Sequence, residues 1–496
     1  MQTRKDRWQE DLFIASPLRD LVPEDHILKR VDAILDLSWL HDEVRGCYCQ
    51  ENGRPSIDPE SALRLMLAGF FQGIVHDRQL MREAQVNLAI RWFAGYRLDE
   101  ALPERSSLTR IRQRWGAALF RQVFERTVAQ CMEAGLVSTD TVHLDATLIR
   151  ADVSWDSLTT RHVDQVVEAN GEDTKGRDED EPPAGGPGGL RTKQTKSKKY
   201  SPTDPDATMA TSCKQYHLEP TYKQHTAVED KSGVIVDVAV TTGEANEGKQ
   251  LLEQVERIEA TVGTKVDSVT CDAGYAHSAN YAALEDRHTD AIIPPPPVAP
   301  RKKSPQRIPA RRFKYDEHHD RIKCPAGNYL ERKGRNTTNS GYFYRARACD
   351  CTTCPLRERC IAPSATARLI LLVDGYTALL RARRRKEKGW DKQTREKYIR
   401  HRWRVEGVHG RAKTQHGLAR AVGRGMENVA TQVYLTAIVM NLKKLAGTYF
   451  KVECLLKAAK RLTTQLQRSW TRWREHEAVV SQRTVYLIRI ASTSPA

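Results

Sequence analysis

The spacing of apolar residues changes along the chain, and the first pattern is helical. Leu63, Met66, Leu67 and Phe70 occupy positions i, i+3, i+4 and i+7, which places their side chains on one face of a helix. Similar spacing continues through most of residues 1–135. The sequence therefore predicts an all-α N-terminal domain over this region.

A period of two replaces the helical period at Thr141. Val142, Leu144 and Ala146 alternate there with polar residues, as in a half-buried strand. Further patterns give the order strand, strand, strand, helix, strand, helix, strand. Three hairpin strands that lead into parallel α/β units have this order. We therefore expect an α/β core of the RNase H-like type, formed by residues 136–297 together with 381–450.

Three other segments differ from this core in composition. Residues 157–215 hold an acidic run, a Gly/Pro run and a lysine run, which predicts a flexible loop. Residues 298–380 are predicted to be a β-rich insertion that contains cysteines. Helical spacing returns from about Lys388, and residues 451–496 form a basic tail, which is expected to be helical.

The charge balance favours a polyanionic partner. The chain has 79 Lys and Arg against 63 Asp and Glu, a formal net charge of +16, and nucleic acid is the commonest polyanion. Arg110, Arg112 and Arg114 follow a turn that offers Ser106 or Ser107 as an N-cap, the arrangement of a DNA-reading helix. The alternative is an ordinary solvated arginine face.

The N-terminus does not resemble a signal peptide, and no run of about 18 apolar residues occurs. We therefore expect no membrane partner and a cytoplasmic, nucleoid-associated protein.

Three acidic residues occupy informative positions. Asp145 lies in mid-strand, where a carboxylate needs a partner, and Asp272 ends a strand, where open α/β sheets place their sites. Glu406 lies in a helix with Arg402 and Lys413 on the same broad face. Each acid alone is most simply structural. Together they suit phosphoryl transfer by two Mg²⁺ ions, with Mn²⁺ as a substitute, and the two cations could hold the flanking phosphates.

The chain resembles bacterial insertion-sequence transposases of the DDE class with an InsH-type N-terminal domain. His143-Leu-Asp-Ala-Thr147 is similar to the first aspartate motif of that family, and Val269-Thr-Cys-Asp-Ala-Gly-Tyr275 to the second. Arg402, Glu406 and Lys413 match the spacing of its glutamate signature. Ile399 stands where the family usually has a tyrosine, because Tyr398 comes one residue too early.

This resemblance implies a DNA transposase whose catalytic residues are Asp145, Asp272 and Glu406. Such an enzyme binds the terminal inverted repeats of an insertion sequence, cleaves the DNA and transfers the freed strand to target DNA. Its partner is double-stranded DNA, and bringing two ends together makes a homodimer the expected assembly.

Five cysteines lie between Cys324 and Cys360, and their spacing suggests a second metal. Cys351 and Cys354 have the two-residue spacing of zinc knuckles, and Cys324 and Cys360 can complete a tetrahedral set for structural Zn²⁺. Cys349 would then be left over. The alternative is a set of reduced cysteines without metal.

Two other functions fit parts of this pattern. An RNase H-like nuclease or resolvase would cleave DNA without joining it. A non-catalytic, zinc-containing DNA-binding protein would hold Asp145, Asp272 and Glu406 more than about 10 Å apart, which is too far for them to share metals.

Overall fold

A computed structural model of the chain describes residues 16–49, 56–154, 157–161, 198–210, 218–296, 308–336, 340–452 and 463–465. Most of the predicted loop and nearly all of the predicted basic tail lie outside the described residues. Among these described ranges, no helix combines the length and the apolar character needed to cross a bilayer.

The N-terminal region is helical, as its apolar spacing predicts. Its longest early helix begins at Pro59, where the Asp58 side chain accepts a hydrogen bond from the Ser61 amide and proline suits the first turn. The α-helices are α1 (Leu18–Leu21), α2 (Ile27–Asp32), α3 (Leu40–Val44), α4 (Pro59–Phe71), α5 (Asp77–Val86), α6 (Leu88–Phe93) and α7 (Arg105–Glu133).

Helix α7 differs in two ways from its predicted form. It begins before Ser106 and Ser107, with Glu104 at the N-cap position, so neither serine caps it. Gly116 then adopts a left-handed φ of 69°, and the helix kinks there. The two serines therefore do not mark the start of the helix, because it already begins at Arg105.

A mixed sheet follows, and its strands occur in the predicted order. The strands are β1 (Val142–Arg150), β4 (Thr208–Ala210), β5 (Glu219–Glu229), β6 (Ile235–Thr242), β7 (Ser268–Thr270) and β8 (Asp290–Ile292). Their order across the sheet is β4, β5, β1, β7, β8, and β6 pairs with β5 beyond the part of β5 that pairs with β4. The strand β5 is antiparallel to β1 and β6, whereas β7 is parallel to β1 and β8. The parallel strands are connected through α8 (Leu251–Val262) and α9 (Ser278–Asp286).

The predicted flexible loop is partly ordered, which corrects the sequence-based expectation. Strand β2 (Thr159–Arg161) pairs with β3 (Lys198–Tyr200), and β4 joins the edge of the mixed sheet. These strands are only three residues long, and composition alone does not reveal such short pairings. The charged and Gly/Pro-rich residues between β2 and β3 lie outside the described ranges.

The β-rich insertion forms a second, antiparallel sheet with a small core of its own. Its strands in spatial order are β13 (Leu369–Val373), β12 (Gly341–Ala346), β11 (Tyr329–Asn336), β10 (Arg321–Lys323) and β9 (Lys314–Asp316). Two short helices, α10 (Ala348–Thr352) and α11 (Arg357–Cys360), carry Cys349, Cys351 and Cys360, whereas Cys324 follows β10 and Cys354 lies between the two helices.

The C-terminal helices return to the mixed sheet. They are α12 (Tyr376–Lys388), α13 (Lys392–Gln415) and a helix that covers the described residues 426–452. Helix α12 begins at Tyr376, about three turns before the predicted start near Lys388. Apolar spacing did not reveal this start because only Ala378 and Leu379 are buried among many charged residues. Helix α13 packs against β1, β5 and β7.

One hydrophobic core runs through both the N-terminal helices and the mixed sheet. A buried ion pair lies within the same interface. Asp237 on β6 is 2% exposed, and Arg257 of α8 places Nη2 3.1 Å from its Oδ2. Arg121 of α7 places Nη2 3.6 Å from the other oxygen, so a charge contact also joins the helical region to the sheet.

Candidate active site

The parallel pairing of β1 with β7 places two of the predicted acids at one edge of the sheet. His143 lies opposite Thr270. Two residues further along the chain from each of them come Asp145, within β1, and Asp272, just beyond the end of β7. The two carboxylates are therefore neighbours because of register, as parallel strands direct their C-terminal ends to one edge. The Asp272 side chain accepts a hydrogen bond from the Gly274 amide at 2.8 Å.

A third carboxylate, which the sequence analysis did not identify, joins this edge. Glu247 follows β6, and β6 runs in the same direction as β1 because both are antiparallel to β5. The chain that leaves β6 therefore emerges at the edge where Asp272 lies. Strand direction was the available signal, but it becomes informative only when the pairing of all three strands is known.

These carboxylates line one open cleft of about 680 Å³. Asp145, Glu247 and Asp272 share its lining with the amines of Lys223 and Lys413. Lys413 donates from Nζ to Thr147 Oγ1 at 2.6 Å, and burial lowers the pKa of its ammonium group. The cleft thus combines carboxylates with cations that can hold phosphate oxygens.

Glu406 is placed differently from the two aspartates. It lies on α13, its side chain is 62% exposed, and it accepts a hydrogen bond from Arg402 Nε at 3.1 Å. Neither Arg402 nor Glu406 lines the cleft, whereas Lys413, two turns further along the helix, does. The helix therefore brings only part of its predicted set into the cleft.

Burial and like charge make Asp145 an unusual carboxyl group. Desolvation raises its pKa to about 7, and the charges of Asp272, Glu247 and Glu406 act in the same direction. His409 of α13 lies nearly buried beside it, with Nδ1 3.9 Å from Asp145 Oδ2. A nearby cation would favour the ionised form of Asp145, which burial and repulsion from the neighbouring carboxylates disfavour.

The cleft fits a divalent cation in charge and space. A Cβ built on Gly274 would lie 2.9 Å from Asp272 Oδ1 and 3.2 Å from Glu247 Oε2, so the missing side chain leaves a gap between two carboxylates. Within the described residues, however, no three His, Cys, Asp or Glu side chains are close enough together to hold a metal ion. Mg²⁺ commonly uses one or two carboxylates and completes its shell with water and substrate oxygens.

A buried polar network holds α13 against the strands behind the cleft. His143 hydrogen-bonds Thr270 through Nδ1 and Asp230 through Nε2, the latter at 2.9 Å. Arg400 donates two hydrogen bonds to Asp230, at 2.7 and 2.8 Å, and His401 contacts Thr270 at 3.1 Å. These contacts fix the helix of Glu406 relative to Asp145 and Asp272.

The three arginines predicted to contact DNA have different surroundings. Arg112 donates from Nη1 to Asp77 Oδ1 at 3.0 Å, and only 20% of its side chain is exposed. The Arg114 guanidinium lies 4.8 Å from the ring centroid of Tyr48, and Arg110 is exposed. Arg112 is therefore occupied within the fold, whereas Arg110 and Arg114 are accessible.

The four cysteines predicted to bind zinc line one small cavity in the insertion. Cys324, Cys351, Cys354 and Cys360 surround it, and Cys349 is exposed outside it. Burial raises the pKa of the Cys360 thiol, and the other three thiols add to the effect. The four cysteines selected by spacing therefore line one cavity, but within the described residues they are not close enough together to form a metal-binding group.

Comparisons with known protein families match both the N-terminal and the C-terminal parts of this arrangement. Residues 16–114 match the family described as "Transposase domain (DUF772)", and residues 323–446 match the family described as "Transposase DDE domain". Both matched families are transposase families, and the two segments together support the expectation of a DDE transposase of the insertion-sequence type. The second matched segment includes Glu406, whereas Asp145 and Asp272 lie between the two matched segments.

Two further comparisons add little to this assignment. A solved structure, "Mos1 transposase paired-end complex with left transposon end", is 11% identical, with a TM-score of 0.15. The similarity covers 51% of this chain and 65% of that chain, which is less than two thirds of its length. The comparison with curated proteins gives no match.

Proposed function

We propose that this protein is a DNA transposase that binds the terminal inverted repeats of an insertion sequence and catalyses metal-dependent DNA cleavage and strand transfer. The observation that carries the proposal is the placement of Asp145 and Asp272 side by side in a cleft that also holds Lys413. The strand order supports an RNase H-like core, in which an antiparallel hairpin precedes parallel strands.

Asp145 and Asp272, with Glu406, are the residues that would hold two Mg²⁺ ions. When bound, such ions activate the attacking oxygen and stabilise the leaving oxygen of a phosphodiester. Lys413 and Lys223 bind phosphate oxygens in the cleft, and His409 keeps Asp145 in place through packing. Arg402 is 83% exposed, which leaves its guanidinium accessible to the DNA backbone.

The helical region would bind the repeat through its exposed arginines. We expect Arg110→Ala to weaken binding of repeat DNA and to reduce the salt dependence of log Kd by about one phosphate contact, because counterions are released at each contact. Arg112→Ala should instead lower the melting temperature and leave the salt dependence unchanged, because it removes the ion pair with Asp77. Fluorescence anisotropy at several salt concentrations separates the two. Equal salt dependence for Arg110→Ala and the unmodified protein would contradict this DNA contact.

We also propose that the cysteine cavity holds a structural Zn²⁺. Thiolates are the ligands that zinc prefers, and the purified protein should contain about one zinc per chain. Cys354→Ser should lose most of it, whereas Cys349→Ser, at an exposed position outside the cavity, should retain it. Elemental analysis of the three proteins is the measurement. A zinc content that is the same in Cys354→Ser as in the unmodified protein would refute the assignment.

The proposed assembly is a homodimer that brings two DNA ends together, on the chromosome in the cytoplasm. The central experiment incubates purified protein and Mg²⁺ or Mn²⁺ with a labelled duplex that contains one repeat and its flank. Cleavage at the repeat boundary followed by joining supports transposition, and Asp272→Asn should abolish both. Cleavage without joining would favour the nuclease, and binding without cleavage under either metal would favour a non-catalytic protein.

A further inference from the structure

We propose that Glu247 is a metal ligand of the active site, placed across the Gly274 gap from Asp272. This inference rests on the proposed function, because it concerns the cation that the cleft would hold. It adds a carboxylate to the three acids that the sequence pattern identified.

The first argument is the position of Glu247 in the cleft. Its side chain is 27% exposed and lines the same cleft as Asp145 and Asp272. Glu406, in contrast, is 62% exposed, pairs with Arg402 and does not line the cleft. Glu219 also lines the cleft, but it pairs with Arg150 at 2.8 Å. Glu247, and not Glu406, is therefore the further carboxylate that the cleft offers beside Asp145 and Asp272.

Gly274 leaves a gap beside Asp272 and Glu247. Gly274 has no positive φ, so its backbone does not require glycine, yet a Cβ there would crowd both Asp272 Oδ1 and Glu247 Oε2. A glycine at this position keeps open a space that two carboxylate oxygens border. A divalent cation is the ligand that such a space between like charges suits.

Lys223 holds one oxygen of the Glu247 carboxylate. Lys223, which is 13% exposed, places Nζ 3.0 Å from Glu247 Oε1 and also donates to the Ala245 carbonyl at 2.8 Å. One carboxylate oxygen is thus anchored by the ammonium group, while the other oxygen borders the gap. The second oxygen of Glu247 is therefore available to a cation while the first is paired.

Calorimetric titration of the full chain with Mn²⁺, without DNA, tests the inference independently of activity. We expect Glu247→Gln to weaken Mn²⁺ binding by about tenfold or more, the scale seen when a group that supports a metal site is removed. The matched control is Glu256→Gln on α8, whose carboxylate pairs with Arg287 away from the cleft, and it should bind Mn²⁺ as the unmodified protein does.

Two further variants keep the test informative if Glu247→Gln fails to fold. Gly274→Ala should weaken Mn²⁺ binding because the new methyl group occupies the gap. Lys223→Met should leave Mn²⁺ affinity unchanged or increase it, because it frees Glu247 Oε1 and removes a positive charge. If Glu247 serves only to neutralise Lys223, the double variant Glu247→Gln/Lys223→Met will bind Mn²⁺ as the unmodified protein does, and the inference is wrong.

Parallel cleavage assays distinguish failure of this inference from failure of the proposed function. Unmodified protein that cleaves the repeat boundary, together with Glu247→Gln that binds Mn²⁺ normally, would overturn the role of Glu247 and leave the transposase function intact. Unmodified protein that neither binds Mn²⁺ nor cleaves would overturn both.

Discussion

Asp145→Asn is expected to abolish metal-dependent cleavage and, at the same time, to stabilise the metal-free protein at pH 8. Loss of a carboxylate that holds the metal should reduce cleavage by at least about a thousandfold, equivalent to roughly 4 kcal/mol of transition-state stabilisation. The stabilisation follows because asparagine removes a charge that burial and three neighbouring carboxylates oppose. A residue retained for function at a cost to folding should behave in this way.

The pH dependence of folding gives the sign of the second effect. The folded-state pKa of Asp145 is raised to about 7, from an ordinary value of 3.8. Its contribution to stability is therefore fully present below pH 3.8 and is lost as the pH rises to about 7. The difference between the two pKa values corresponds to roughly 2–4 kcal/mol in the free energy of unfolding.

Denaturant unfolding of both proteins at pH 5 and pH 8, without metal, measures this effect. The gain from Asp145→Asn should be larger at pH 8. Asp140→Asn is the matched control, because its carboxylate lies on the surface and pairs with exposed Lys231. Full cleavage activity in Asp145→Asn would remove Asp145 from the catalytic set, and a destabilised variant at pH 8 would contradict the argument from burial.

Arg257→Met is expected to have the largest effect on stability. The change leaves Asp237 with only the more distant Arg121, and breaking a buried pair by removing one partner typically costs about 3–5 kcal/mol. Burial already raises the pKa of Asp237 despite both guanidinium groups, so the loss of one group should leave its charge poorly compensated. Methionine keeps an apolar stem in the same space.

Glu253, the second acidic partner of Arg257, provides the control for Arg257→Met. Glu253 pairs with Arg257 on the surface at 2.7 Å, and its side chain is 63% exposed. Glu253→Gln should therefore cost less than about 1 kcal/mol. Urea unfolding, monitored by circular dichroism, compares the two variants. Similar losses in both would mean that Asp237 does not depend on Arg257.

The sheet and its two aspartates could be predicted because their signals are local. Asp145 lies on the polar side of an alternating strand, and Asp272 comes directly after another strand. Both positions can therefore be found without knowledge of the fold. The order of strands and helices was sufficient to place their C-terminal ends together. The same kind of spacing selected four cysteines that line one cavity.

Other features depend on contacts between distant residues and have no local signal. Glu247 follows a turn of ordinary composition, and only the antiparallel pairing of β5 with β6 brings it to the cleft. Helical spacing put Glu406 and Lys413 on one broad face, but it did not reveal that Lys413 enters the cleft while Glu406 remains exposed. Arg112 likewise has the pattern of a DNA contact, and its partner Asp77 lies 35 residues away.

The hydrophobic core that continues from the N-terminal helices into the mixed sheet has a consequence for where DNA would be cut. Helix α7 is joined to β6 through apolar packing and through Asp237, so the helical region and the sheet that carries the cleft share one core. If the exposed arginines bind the repeat as proposed, the fold sets the distance between the bound repeat and the carboxylates. The position of the cut would then follow from that distance rather than from the sequence at the cleavage point.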